Sequence, residues 1–221
     1  MQKATEGEWA VVTGAAGGLG SCFADRLAKN GYRLLLLDRR EEQLAKLCER
    51  ITSQYGVATE RAVVNLCDPR ELESLAQRLS EMTVGLLVNN AGFGTTGYFV
   101  DIDASRHSDM IHVHVLAPAM LTHAVLPGMI ERDRGAIINV SSLAAWCYSA
   151  GSVQYSSTKS YLAVFSQALA QELRGTKVRV QALCPGFVRT DFHAAESMQG
   201  FDMQQVPATQ WMTAEKVVDC S

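Results

Sequence analysis

Short apolar runs alternate with helical periodicity along most of this chain. Trp9–Thr13 reads as a first strand and residues 18–30 as a helix, with Gly31 placed just beyond its end, where a left-handed backbone suits glycine. Residues 32–37 are almost continuously apolar, as expected of a parallel strand covered on both faces. A charged-faced helix follows over 41–54. A third strand is expected over 61–66, and a helix over 69–82 opens on Pro69, where the absent N–H costs little. Val84–Asn89 is the fourth strand. Ala104–Glu131 reads as a long helix bent at Pro118. A fifth strand (136–141), a helix (152–173) and a sixth strand (177–183) complete the alternation.

Strand after helix throughout implies a parallel sheet with helices on both sides, an α/β, three-layer αβα, doubly wound Rossmann-type fold. Ligands of such sheets bind at the carboxyl ends of the strands. The chain has 221 residues. That length suits one domain, 1–221, with one sizeable core. A hydrophobic share of 48% and a charged share of 19% suit an ordinary globular protein, and a net charge of −3 gives no footprint for nucleic acid.

The six cysteines are scattered, without Cys-x-x-Cys or zinc-type spacing, so no metal is expected. Reduced thiols point to a reducing, cytoplasmic setting. The N-terminus lacks the apolar core of a secretory signal. The apolar stretch 111–130 contains histidines and prolines and reads as a buried helix, not a membrane span.

The first strand runs into Thr13-Gly14-Ala15-Ala16-Gly17-Gly18-Leu19-Gly20. Glycines let a backbone turn tightly beside a pyrophosphate, and the following helix offers its N–H groups to the anion. Many such turns only cap a helix, but this one joins the first strand to the first helix of an alternating chain. Asp38 closes the second strand, where a carboxylate pairs with an adenosine ribose and repels a 2′-phosphate, favouring NAD(H) over NADP(H). Arg39 and Arg40 argue the other way, since a guanidinium grips phosphate; they serve equally as solvated loop charges. Asn65 and Leu66 are placed to rim an adenine pocket. Asn89, Asn90, Ala91 and Gly92 end the fourth strand with small residues and amides.

Ser142 precedes Tyr155 by 13 residues, and Tyr155 stands four before Lys159. A phenol and an ammonium at i and i+4 share a helix face. With a hydroxyl from a neighbouring strand they can protonate a carbonyl oxygen or deprotonate an alcohol beside a redox cofactor.

These motifs, with Pro185-Gly186-Phe187-Val188-Arg189-Thr190, stand in one order from about Val11 to Thr190, and the chain resembles the short-chain dehydrogenase/reductase family, compact single-domain branch. Residues 174–193 and the Gly92-Phe93-Gly94 turn look most similar to bacterial acyl- or steroid-type ketone reductases. The resemblance implies hydride transfer between NAD(P) and a ketone, aldehyde or secondary alcohol. Ser142, not Ser141, then contacts the substrate oxygen, Tyr155 is the acid/base, and Lys159 lowers its pKa and binds nicotinamide ribose. Pro185-Gly186 cross the nicotinamide, the Val188 backbone meets its carboxamide, and Thr190 supports it.

Two positions depart from the family. An asparagine is usual 28 residues before the serine, where it is thought to anchor a water in a proton path; here stands His114. It is either a relay member or a helix histidine satisfied by a backbone carbonyl. The chain also stops where a C-terminal helix begins, so the usual last helix and strand are expected to be missing and any homo-oligomer weakened. Residues 187–212 carry Phe192, Met198, Phe201, Met203, Trp211 and Met212. They form a lid over an apolar substrate or simply pack that segment onto the sheet. The rival from another class is a nucleotide-binding sensor or scaffold without turnover. An epimerase lacks its extra substrate domain here, and a methyltransferase leaves Ser142, Tyr155 and Lys159 without a task.

Overall fold

A computed structural model describes residues 3–194, 198 and 202–221. Six parallel strands form the sheet: β1 (Trp9–Thr13), β2 (Arg33–Asp38), β3 (Thr59–Val63), β4 (Val84–Asn89), β5 (Gly135–Val140) and β6 (Val178–Leu183), in the order β3-β2-β1-β4-β5-β6. The order reverses after β3, so the carboxyl ends of β1 and β4 flank the crevice where such sheets bind ligands.

Successive strand residues face opposite sides, and here both sides are covered. Ala10, Val12, Leu34 and Leu36 pack under helices α1 (Gly18–Lys29) and α2 (Glu41–Tyr55). Val11, Leu35, Leu37 and Leu87 pack under α3 (Pro69–Ser80), α5 (Ala117–Glu131) and α6 (Val153–Glu172). The apolar runs of β1, β2 and β4 follow from this double burial. β3, at the sheet edge, is mostly exposed. Its polar residues carry no apolar signal, and the expected third strand therefore slides toward Leu66, a core residue that lies beyond the strand.

The long helix breaks before its proline. α4 (Ala104–Ile111) passes through a π turn, His112–Leu116, into α5. Pro118 stands in the first turn of α5 and has no N–H to give the His114 carbonyl four residues earlier, so the ladder is rearranged there. By length and composition, Ala104–Glu131 is long and apolar enough to cross a membrane; 39% of its most apolar window is buried, and its inner face (Leu121, Val125, Met129) lies in the core.

The C-terminal elements expected to be missing are present. β7 (Phe187–Arg189) pairs in parallel with β8 (Trp211–Thr213) as a small second sheet, and α7 (Ala214–Asp219) follows. Val217 and Val218 are buried against the α1 side of the core. Phe201, one of the residues assigned to the lid, lies outside the described residues. All six cysteines are free thiols.

Candidate active site

The glycine turn is closed by contacts that no larger residue allows. Gly14 adopts φ +62°, and a Cβ there would stand 2.9 Å from the Ala91 Cα; one on Gly20 would stand 2.2 Å from the Gly14 carbonyl oxygen. Thr13 and Asn90 tie the turn to the end of β4. The Asn90 side chain donates to the Thr13 and Gly14 carbonyls at 2.8 and 3.1 Å, and the Asn90 and Ala91 amides donate to Thr13 Oγ1 at 3.0 and 2.9 Å. Thr13 heads the glycine motif in the sequence, but the task of its hydroxyl, joining the turn to β4, carried no signal there. Ala16 and Gly17 form the outer turn, and Leu19 packs its side chain on the core.

The residue before helix α1 offers no side-chain cap and the helix has no acidic residue in its own first turn, so the carboxylate on its positive end, that of Asp191 on the Gly18 amide at 3.3 Å, comes from outside the helix. The spaces that glycine Cβ atoms would fill, together with the positive end of this helix, fit a dinucleotide's diphosphate. Among the described residues, no group of three or more His, Cys, Asp or Glu is arranged for a metal.

Asp38 is buried, and its carboxylate accepts four hydrogen bonds. They come from the Ala16 amide (2.9 Å), the Arg40 amide (3.0 Å), Arg40 Nε (3.1 Å) and Arg40 Nη2 (3.3 Å). A carboxylate has about four lone-pair sites, so none remains for a ribose hydroxyl, and the guanidinium offsets its repulsion of phosphate. Arg40 Nη2 would lie 3.6 Å from a Cβ on Gly17, beside the turn, whereas Arg39 is exposed. Asn65 lies past the end of β3; its side chain accepts the Cys67 amide at 3.1 Å and its amide donates to Glu71 at 2.7 Å. Leu66 buries its side chain in the core.

The catalytic candidates meet at the ends of β5 and α6. Ser142 follows β5, and its Oγ accepts the Ala144 amide at 3.1 Å, capping a short turn. Ser141 instead anchors the helix, donating to the Lys159 carbonyl at 2.7 Å. Burial pushes the Tyr155 phenol up to about 12, and a hydrogen bond from Ser142 opposes that shift. Lys159 is buried, donates to the Val140 carbonyl at 2.8 Å and lies 5.6 Å from the Tyr155 ring centroid. Burial pulls its ammonium down to about 8, against a smaller opposing effect of Cys184. The expected depression of the tyrosine by the lysine is therefore not the state of the protein alone: burial dominates both groups.

His114 is fully buried in the π turn. Its Nε2 accepts the Phe93 amide at 3.1 Å. Nδ1 lies 2.9 Å from Thr158 Oγ1, whose hydroxyl is donated to the Tyr155 carbonyl at 2.9 Å. With Nε2 accepting and the threonine proton committed, the ring is the neutral Nδ1–H tautomer. Burial, and secondarily the charge of Lys159, holds it well below 6.5. The ring also occupies the space of a Gly92 side chain, its Nε2 2.8 Å from where a Cβ would stand. It is satisfied by an amide and a hydroxyl, not by the backbone carbonyl expected. Thr158 carried no sequence signal of its own.

Residues 185–190 run between the catalytic turn and the glycine turn. The Pro185 carbonyl accepts the Leu143 amide at 3.0 Å, and a Cβ on Gly186 would lie 3.2 Å from Leu143. Val188 is buried in β7, and Thr190 lies over Gly18, its Cγ2 2.7 Å from a Cβ placed there. Phe192, 6.1 Å from Tyr155 between ring centroids, and Met198 close over Gly94.

A family model described as short chain dehydrogenase matches residues 8–199. A very-long-chain 3-oxoacyl-CoA reductase of Laccaria bicolor is 40% identical over 84% of this chain and 56% of its own length. An inactive hydroxysteroid dehydrogenase-like protein 1 of Homo sapiens is 36% identical over 85% of this chain and 58% of its own. The chain thus spans somewhat more than half the length of these curated relatives.

Among solved structures, a short-chain dehydrogenase of Sphingobium yanoikuyae in complex with NADPH superposes with a TM-score of 0.89 and 31% identity over 96% of this chain and 81% of its own. A closed serine dehydrogenase complexed with NADP+ gives 0.80 and 28% over 96% and 86%. These NADP(H) complexes overturn the expected preference for NAD(H). The physical reason is the saturated Asp38 carboxylate and the guanidinium it holds over the turn. The ordered motifs, the parallel sheet that positions them and the family match agree: the chain belongs to the short-chain dehydrogenase family.

Proposed function

We propose that the chain is an NADP(H)-dependent oxidoreductase that interconverts an apolar ketone and its secondary alcohol. The observation that carries this reading is the gathering of Ser142, Tyr155 and Lys159 at one end of the Pro185–Thr190 strip, whose other end lies over the glycine turn. The coenzyme, when bound, supplies or takes the hydride. Tyr155 gives its proton to the carbonyl oxygen as negative charge grows there, and Ser142 donates a second hydrogen bond to the same oxygen. Lys159 sets a positive charge one helical turn from Tyr155, favouring the anion left on the phenol, and its ammonium is placed to hold ribose hydroxyls.

Gly14, Gly17, Gly18 and Gly20 give the diphosphate its approach, Arg40 meets the 2′-phosphate, and Asn90 holds the turn. Ala91 and Gly92 border the coenzyme's middle. Val188 and Thr190 border its nicotinamide end. His114 is a positioning residue: with both ring nitrogens engaged, it braces the Gly92–Phe93 loop against the helix that carries Tyr155.

An apolar substrate is supported by the rim. Tyr98, Phe99 and Val100 on one loop, and Leu143, Trp146 and Tyr148 on another that leads to Val153 at the start of α6, are exposed. The loops meet where a Cβ on Gly151 would lie 3.3 Å from the Gly97 carbonyl oxygen. Phe192 beside Tyr155, and Met198 with it over Gly94, add an apolar cover. Such a rim suits an acyl chain, in keeping with the substrate class named for the Laccaria bicolor relative.

NADPH oxidation with 3-oxoacyl-CoA substrates of increasing length, a steroid ketone and a keto sugar tests this. We expect kcat/KM to rise with chain length, by up to about fourfold per buried methylene, and to be lowest for the sugar. The human relative named inactive makes a silent scaffold the second reading. NADPH binding without oxidation across the panel would favour it.

A further inference from the structure

The carboxylate of Asp191 lies at the position that the glycine turn assigns to the coenzyme diphosphate. Its Oδ1 accepts the Gly18 amide at 3.3 Å, at the first residue of α1. Its Oδ2 pairs with Arg40 Nη1 at 3.4 Å. The neighbouring Thr190 side chain closes over Gly18. The only acidic group bonded to this end of α1 among the described residues thus comes from a segment 173 positions away in sequence.

We propose that Asp191 is a coenzyme-displaced carboxylate: it holds the segment after β7 over the glycine turn until NADPH takes its place. The inference rests on the dinucleotide reading of the turn given above. An incoming diphosphate needs the Gly18 amide, and a 2′-phosphate needs the Arg40 guanidinium; Asp191 engages both. An aspartate here also repels each phosphate it would share the site with. Its side chain is 61% exposed, so water can receive it when it leaves. Phe192 and Met198 follow on the same segment, above Tyr155 and Gly94, so release of Asp191 couples coenzyme entry to the cover of the substrate space. By linkage, whatever stabilises the Asp191 contact weakens the coenzyme by the same factor.

The test is NADPH affinity, measured by titration calorimetry on the wild-type chain, Asp191→Asn and Asp191→Ala. An anion at a helix N-terminus and an exposed ion pair each contribute modestly, so both variants are expected to bind NADPH about three- to tenfold more tightly. The gain should shrink as salt is raised. Equal or weaker binding by both variants, with unchanged melting temperatures, would overturn the displacement. A wild-type chain that binds no NADPH would overturn the coenzyme reading itself, and this inference with it.

Discussion

Lys159 shows how burial sets the state of a single side chain. Its folded pKa is about 8 against an ordinary 10.5. Between those values the unfolded chain binds more protons than the folded one, so this group's contribution to stability rises with pH from about 8 to about 10.5. Below about 8 its burial cost applies in full, on the order of 3 kcal/mol. Urea unfolding across that window should show wild type gaining stability relative to Lys159→Met as pH rises; a flat difference would contradict the burial account.

His114 makes a different demand. Replacement by Leu strands the Phe93 amide, at about 1–3 kcal/mol for a buried unsatisfied group, while the Thr158 hydroxyl keeps its donation to the Tyr155 carbonyl. As a brace it should, when replaced, lower kcat without moving the pH profile. A profile that loses an inflection near neutrality in His114→Leu would instead mark the imidazole as a proton carrier. The motif spacing made Ser142, Tyr155 and Lys159 legible in the sequence. The four donors on Asp38 and the reach of Asp191 were not, because they depend on side chains that only the fold brings together.

At the scale of elements, legibility followed burial. β1 and β4, apolar on both faces, have the expected bounds, whereas edge strand β3 misled because exposure leaves it no apolar pattern. The helix break was sought at Pro118 itself, but the rearrangement precedes it, since a proline removes the donor to the carbonyl four residues earlier. The glycine turn is where geometry tolerates least. Gly20→Ala would put a methyl 2.2 Å from the Gly14 carbonyl oxygen. We expect it to weaken NADPH binding at least tenfold, or to unfold the first βα unit at a cost of about 1–3 kcal/mol. Unchanged NADPH affinity and melting temperature together would show that the turn is not so tightly closed.

Over the whole molecule, the strip from Pro185 to Thr190 joins three regions: the Ser142 turn, the glycine turn and, through β7 and β8, helix α7. A C-terminal helix was foreseen and its completion was not, because the two-stranded sheet pairs Phe187–Arg189 with residues more than twenty positions later. Coenzyme preference belongs to this scale, since Arg40 joins the carboxylate of neighbouring Asp38 to that of Asp191, 151 positions away. Arg40→Ala should raise the KM for NADPH by about tenfold or more while leaving that for NADH within about twofold, as expected for a lost guanidinium–phosphate contact. Equal effects on both coenzymes would remove Arg40 from the 2′-phosphate site.

The most direct measurement is the rate of NADPH oxidation by Tyr155→Phe with a ketone that the wild-type chain reduces. The ring and its packing remain, and only the hydroxyl is lost. The account predicts a fall in kcat of about 10²–10⁴-fold with NADPH affinity preserved. An unchanged kcat would contradict it.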